Sequence, residues 1–310
     1  MGKKKALWGN KMLAHLYLNF AAGRCAQPLW RVHKLLKALR KGPRVRKAER
    51  EPFRWLKSRK LKRVEIKSRE GLRLTGHLLT HPEAERGVLM FHGWRGSWEE
   101  DCAALAKGLY EEKSSVLLVN QRAHKRSGGA YIGFGVLEQY DCLEWLKYLE
   151  ENTCELPIYL LGVSMGAATV LMASGMDLPE RVKGIIADCG FTSPYEMVCI
   201  FAEKYLKIKE KSMVEAVSNL CRKKAGYDFK EYSTLEAVKK CRVPVFFAHG
   251  TGDDFVPWEM TMRNYEACAS DKKLFLAEGA AHTKSYLSDS GKYMDAAAEF
   301  FCWRGGSGAL

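Results

Sequence analysis

Acidic residues are almost missing from the first fifth of the chain, where residues 1 to 63 hold 20 Lys or Arg against two acids, Glu49 and Glu51. The remainder holds 30 basic and 34 acidic residues, so the net charge of +14 belongs to the N-terminal arm and the body is mildly acidic. A basic partner surface is therefore expected on the arm alone. The sequence also lacks an apolar run of the roughly 18 residues needed to span a bilayer. Its nearest approach follows MGKKK, from Met12 to Ala22, and is broken by His15 and Asn19. That stretch fails as a cleaved signal or a membrane span, and Ala6 stands where N-myristoylation requires Ser or Thr. Ten cysteines are present, with no C-x-x-C spacing and no accompanying histidine pattern, which argues against a zinc cluster or a disulfide framework. Several fall inside apolar runs, where a reduced thiol acts as a small hydrophobe, and a cytoplasmic location is expected. Phosphate-binding loop and H-E-x-x-H motifs are missing, and Gly133-Phe134-Gly135 lacks the third glycine of a dinucleotide fingerprint. No cofactor and no metal are expected. Nucleic acid is not an expected partner either, since the arm carries no recognisable reading module.

What remains is an ordinary globular composition, 310 residues with 47% hydrophobic, enough for one large α/β domain or two small ones. Residues 1–60 form the basic arm. From Pro28 to Lys41, Leu29, Val32, Leu35, Leu36 and Leu39 share one helical face and Arg31, Lys34, Lys37 and Lys41 the other, with Gly42 and Pro43 as the stop. Such a helix docks on its own protein or lies on an anionic membrane surface, which could hold the chain peripherally. The body runs from 61 to 303, and 304–310 is a short flexible tail.

Leu61–Lys67 and Leu72–Thr80 alternate apolar and polar residues around Gly71, which reads as a β-hairpin. Beyond it the pattern changes to continuous apolar runs at Val88–Phe91, Val116–Val119, Ile158–Leu161, Val182–Ala187, Val243–Ala248 and Leu274–Ala277. Runs of this kind suit strands buried on both faces. Helical stretches such as Glu99–Tyr110, Glu138–Glu150 and Met165–Ser174 alternate with them, so a mostly parallel sheet with helices on both faces is predicted. Some 55 residues separate the fourth and fifth of these runs, far more than a crossover needs. Ser193 with Glu196, Ser212 with Glu215 and Ser233 with Glu236 read as capping boxes within that connection, and Pro194 suits a first helical position. A helical cap over residues 191–242 is expected at the carboxyl edge of the sheet, where open α/β sheets bind ligands.

Four chemical features fall at strand ends. Gly162-Val163-Ser164-Met165-Gly166 lies between an apolar run and the small residues Ala167, Ala168 and Thr169, the pattern of a strand, a tight turn and a helix with an exposed serine at its tip. Phe91-His92-Gly93-Trp94 closes the first buried strand, Asp253 follows the fifth and His282 the sixth. A serine hydroxyl is a weak nucleophile until a base takes its proton, the role available to His282. An aspartate would hold the imidazole in the right tautomer and stabilise the imidazolium. Asp253 is favoured over its neighbour Asp254 because it lies closer to the strand end, and Asp188 is a further candidate. The backbone N–H groups of Met165 and Trp94 are the oxyanion-hole candidates. Phe191 and Trp258, near strand ends, are candidate substrate contacts. The remaining histidines, His92, His124 and His249 among them, read as loop ties.

Taken together, His92–Ser97 (HGWRGS), Gly162–Gly166 (GVSMG), His249–Pro257 (HGTGDDFVP) and Gly279–His282 (GAAH) resemble the α/β-hydrolase superfamily, over residues 61 to 303. Gln121–Gly135 and Asp188–Pro194 resemble the bacterial esterase and serine-aminopeptidase-like branch. The resemblance implies an α/β-hydrolase fold with Ser164 as nucleophile, Asp253 as acid and His282 as base, acting on an ester or other acyl substrate. Lys125 and Arg126 depart from it, where a glycine and a small residue are usual, which leaves substrate choice open. Peptidase, thioesterase and acyltransferase activities use the same triad, and a catalytically silent binding protein is the non-enzymatic alternative.

Overall fold

The structure is a computed structural model that describes residues 2–24, 43–153, 155–208 and 211–302. The helix expected over 28–41, Cys25, Cys154 and the tail lie outside the described residues.

Every expected strand is present. The hairpin pairs β1 (Lys62–Lys67) with β2 (Arg73–Leu79) in antiparallel register, Val64 opposite Gly76. Gly71 turns it at φ 79°, a conformation that costs glycine little. β3 (Arg86–Phe91), β4 (Ser114–Asn120), β5 (Ile158–Val163), β6 (Val182–Asp188), β7 (Val245–Gly250) and β8 (Lys272–Ala277) complete one eight-stranded sheet. Its order is β1-β2-β4-β3-β5-β6-β7-β8, parallel from β4 through β8. β1, with Lys62, Arg63, Glu65 and Lys67 along one edge, is the kind of charged border that discourages strand addition.

The continuous apolar runs have a simple cause, since alternate residues of one strand serve two separate cores. Leu89 and Phe91 of β3 pack with Trp145, Leu146 and Val170 on one face, while Val88 and Met90 pack with Leu105, Leu109 and Leu161 on the other. The first face is covered by α4 (Glu138–Asn152), α5 (Met165–Ala173), α8 (Thr234–Val238) and α9 (Trp258–Ala267). The second is covered by α2 (Pro43–Lys57), α3 (Ala103–Glu111) and α11 (Ser290–Cys302). The helix expected from Glu99 begins as one turn of π-helix, Trp98–Cys102, before α3.

A third apolar cluster lies outside both layers. It joins α1 (Gly2–Ala21), α6 (Pro194–Leu206) and α7 (Lys211–Ala225) to the segment around Phe134 and to Trp94, Met165, Phe229 and Val256. Ser193 caps α6 by accepting from the N–H groups of Tyr195 and Glu196, and Ser233 caps α8 through Leu235 N. Ser212 lies inside α7, which already includes Lys211, rather than at the cap position expected of it. The apolar stretch before Ala22 thus finds its partners in this cluster, with Ala14, Tyr17, Leu18 and Ala21 fully buried. Burying a leucine alone is worth about 1.5–3 kcal/mol. Among the described residues no helix is long and apolar enough to cross a membrane.

Candidate active site

β3 lies between β4 and β5, so the chain order reverses there, and the carboxyl ends of the strands at such a reversal are the usual ligand position in open α/β sheets. Ser164 stands at the end of β5 with φ 58° and ψ −115°, a sparsely populated conformation for a residue with a side chain. The flanking glycines are required by packing. A Cβ on Gly162 would stand 2.1 Å from Gly166 O, and one on Gly166 would stand 2.1 Å from Phe91 O.

Three residues from three strand ends meet at this turn. His282 Nε2 is 3.0 Å from Ser164 Oγ, and His282 Nδ1 is 2.6 Å from Asp253 Oδ2. Asp253 Oδ1 accepts from Phe255 N at 2.8 Å and Val256 N at 3.0 Å. Its Oδ2 takes a second contact from His249 Nε2 at 3.0 Å, while His249 Nδ1 meets Thr261 Oγ1 at 2.7 Å. One tautomer pattern satisfies the chain: His249 donates through Nε2 and accepts the Thr261 hydroxyl, and His282 donates through Nδ1 and keeps Nε2 to accept from Ser164. Burial acts to raise the Asp253 carboxyl, but the hydrogen bonds from His249 and His282 outweigh it and hold the group well below the usual carboxylate range. Asp253 is thereby a fixed anion beneath the imidazole. His249, expected only to tie down a loop, is a second histidine on the same carboxylate oxygen.

The rival carboxylates stand elsewhere. Asp254 is 88% exposed and pairs with Lys204. Asp188 is buried and accepts from Ser285 Oγ at 2.7 Å, which anchors the short helix α10 (Ser285–Ser288) beneath His282.

The loop from His92 to Ser97 is held from several sides. Gly93 N donates to Asp101 Oδ2 at 3.0 Å, Arg95 N to His124 Nε2 at 3.1 Å and Gly96 N to Gly93 O at 3.1 Å. The loop passes close to the serine, since a Cβ on Gly93 would lie 3.3 Å from Ser164 Cβ. His92 and His124 do serve as loop ties, with ring centroids 4.7 Å apart; burial pushes the His124 ring far below the usual histidine range, so it is neutral and can accept from Arg95 N. Met165, fully buried, opens α5 directly after the serine.

Aromatic rings wall the approach to His282. Phe255 lies 4.9 Å from the imidazole, stacks on Trp94 at 6.1 Å and meets Phe201 at 5.1 Å. Phe191 is 3% exposed and belongs to the same cluster. Trp258 is half-buried at the start of α9, three residues beyond Phe255, the ring placed against the histidine.

Lys125 and Arg126 are exposed, and the loop that carries them is tied down through its main chain. Arg24 donates to the carbonyls of Lys125 and Ser127 at 2.7 and 2.6 Å, Arg73 donates to that of Arg126 at 3.0 Å, and Lys125 Nζ lies 3.1 Å from Glu99. The same loop hides features that its sequence did not advertise. Arg122 is buried and grips Asp141 with two bonds of 2.7 and 2.6 Å. Buried Glu138 accepts from Gly133 N and Gly135 N at 2.8 and 2.9 Å, fixing the segment that carries Phe134. Cys189, Asp253 and His282 bring ligand-type atoms within 4.8 Å of one another. Burial pushes the Cys189 thiol well up, which disfavours the thiolate that metal binding needs, and the other two are engaged with each other.

A doubly covered, mostly parallel sheet with a serine on a glycine-flanked strand-to-helix turn is the architecture of the α/β-hydrolase fold, and the chain has that fold. Residues 87–199 match the family described as alpha/beta hydrolase fold. The chain is 28% identical over 187 residues to the uncharacterized protein YqkD of Bacillus subtilis, a match covering 60% of this chain and 61% of that protein. It therefore spans less than two thirds of that relative's length. It is 23% identical over 246 residues to the protein bem46 of Schizosaccharomyces pombe, covering 77% of this chain and 75% of the other. The structure of the Pyrococcus furiosus esterase Pf2001 is similar at a TM-score of 0.64 and 24% identity, covering 80% of this chain and 94% of that one.

Proposed function

We propose that the protein is a serine hydrolase that cleaves carboxylic esters through an acyl-enzyme intermediate. The observation that carries this reading is the unbroken hydrogen-bond chain Ser164–His282–Asp253, with the serine held in a strained turn at a strand end. In the proposed reaction His282 Nε2 takes the Ser164 proton as Oγ attacks the ester carbonyl, and Asp253 stabilises the imidazolium. The N–H groups of Met165 and Trp94 receive the developing oxyanion, and His282 returns the proton to the leaving alcohol. Water, deprotonated by the same imidazole, then releases the acid. The esterase among the structural relatives favours an ester over an amide or thioester, and the aromatic wall of Trp94, Phe201 and Phe255 suits an apolar acyl group. No cofactor enters this mechanism.

Ser164→Ala is the direct test. It should bring hydrolysis of a short p-nitrophenyl ester close to the uncatalysed rate and abolish covalent labelling by a fluorophosphonate; an alanine variant that kept most of the activity would overturn the mechanism. A panel of ester, aminoacyl amide and acyl-CoA substrates separates esterase from peptidase, thioesterase and acyltransferase.

A second reading concerns location. Met12 and Leu16, one turn apart on α1, are 57% and 58% exposed, and the sequence before them carries four lysines. We propose that this face rests on an anionic bilayer, apolar contact adding to lysine attraction. Co-sedimentation with phosphatidylserine vesicles should fall on replacing both residues with Asp, and equal sedimentation of the variant would reject it.

A further inference from the structure

The carboxyl end of α1 is bonded to the loop that the proposed mechanism uses for the oxyanion. Trp94 Nε1 donates to Ala21 O at 2.7 Å. Arg95, the next residue, sends its guanidinium to three more carbonyls at the same helix end, Phe20 O at 2.6 Å, Gly23 O at 2.9 Å and Asn19 O at 3.2 Å. Phe20 O and Ala21 O are last-turn carbonyls of the kind a helix leaves without internal partners, at the negative end of its dipole, whereas Asn19 O also accepts from Gly23 N and Gly23 O lies just past the helix. A buried cation there is stabilised without a carboxylate. Arg95 is 5% exposed, and burial lowers its guanidinium to about 10.

The backbone records the same constraint. Arg95 has φ 50°, in the left-handed region that a long side chain rarely adopts. Its N–H, directed to His124, fixes the loop from the body side while its side chain fixes it from the helix side. Ala14, Tyr17, Leu18 and Ala21 seat α1 in the same apolar cluster as Trp94 and Met165, the residues assigned to the oxyanion. Tyr17 adds a hydrogen bond to the carbonyl of Val198 in α6. The helix is therefore seated independently of the loop it grips.

We propose that Arg95 is a positioning residue through which α1 sets the oxyanion loop, making the N-terminal helix part of the catalytic apparatus. This rests on the serine-hydrolase reading. Arg95 touches no reacting atom in the proposal; it acts by fixing the chain on the far side of Trp94, so that the peptide between Gly93 and Trp94 keeps its N–H where it meets the oxyanion. Loss of one oxyanion donor costs on the order of 10²–10³ in kcat, and a shift of about 1 Å costs up to about 10².

The test compares the full-length wild type with Arg95→Ala, Arg95→Lys and Trp94→Phe on a p-nitrophenyl ester and on its thionoester. The thiono sulfur is a larger and weaker acceptor, so donors placed for oxygen help it less. Arg95→Ala should lower kcat on the oxygen ester by about 10- to 100-fold with KM within about 2-fold. The thionoester should lose much less, and Arg95→Lys should recover part of the difference. Trp94→Phe removes the donor to Ala21 and keeps an aromatic ring, so it gives the same selective loss, in milder form, should Arg95→Ala fail to fold. Equal losses on both substrates, or unchanged kcat in a folded variant, would overturn the proposal. A wild type that neither turns over the ester nor labels with a fluorophosphonate would instead overturn the hydrolase reading beneath it.

Discussion

Gly166→Ala sets two opposing effects against each other at the proposed nucleophile. Alanine favours a helix over glycine by up to about 1 kcal/mol, and Gly166 is the second residue of α5. Propensity alone would therefore stabilise the variant. The new methyl, however, would stand 2.1 Å from Phe91 O, 2.6 Å from Phe91 C and 2.9 Å from His92 O, all main-chain atoms of β3 and the loop beyond it. Ordinary contact begins at 3.4 Å, so α5 must withdraw from β3 by about 1.3 Å, and no flexible side chain can yield in its place. Overpacking of this kind costs about 1–3 kcal/mol, and a main-chain obstacle puts it at the upper end. The clash wins by about 2 kcal/mol, a fall in Tm of roughly 4 °C for a chain of this size. Ser164 moves with the helix, and a displacement near 1 Å from His282 should cost about 10² in kcat. Thermal unfolding by circular dichroism and p-nitrophenyl ester hydrolysis read the two effects separately. Gly87→Ala is the control, because a Cβ there meets nothing within 4 Å. A Gly166→Ala protein with raised Tm and undiminished turnover would refute the packing argument for the elbow.

Arg122→Ala should lower stability by about 3–5 kcal/mol, since it leaves Asp141 buried beside Glu138 without its cation; an unchanged urea midpoint would show that the pair contributes nothing. Asp253 predicts an acid limb. Its carboxyl is held below the unfolded value of about 3.9, so its contribution to stability is complete above that pH and is lost as pH falls through the folded value. Urea midpoints measured from about pH 5 downward should thus fall more steeply for wild type than for Asp253→Asn, and parallel curves would contradict the depressed titration.

The strands were legible because each is buried on both faces, and that environment writes itself as a short continuous apolar run. Ser164 was legible because two backbone approaches near 2 Å admit only glycine at 162 and 166. Other features depend on partners that a local sequence pattern does not reveal. Glu138 opens a helix and looks like an ordinary acidic first-turn residue until its carboxylate meets Gly133 and Gly135. Arg122 lies 19 residues from Asp141, and Tyr17 bonds a carbonyl 181 residues away. Phe255 and Trp258 both follow Asp253 within a few residues, and only the turn after the aspartate decides that Phe255 faces the imidazole. Ser212 shows the limit of a local signature, since a serine and a glutamate three apart also occur inside a helix.

The basic arm changes most when sequence and structure are joined. Its apolar stretch supplies buried residues to the cluster above the sheet. The end of α1 engages Trp94 and Arg95, and Arg24, just beyond it, engages the carbonyls of Lys125 and Ser127. One short segment thereby joins the loop after β3 to the loop after β4. A bilayer that bound Met12 and Leu16 would press on the outer side of this same helix. Contact with a surface and geometry at Ser164 would then share one mechanical element, so vesicles that recruit the protein should alter kcat in wild type and leave Arg95→Ala unaffected.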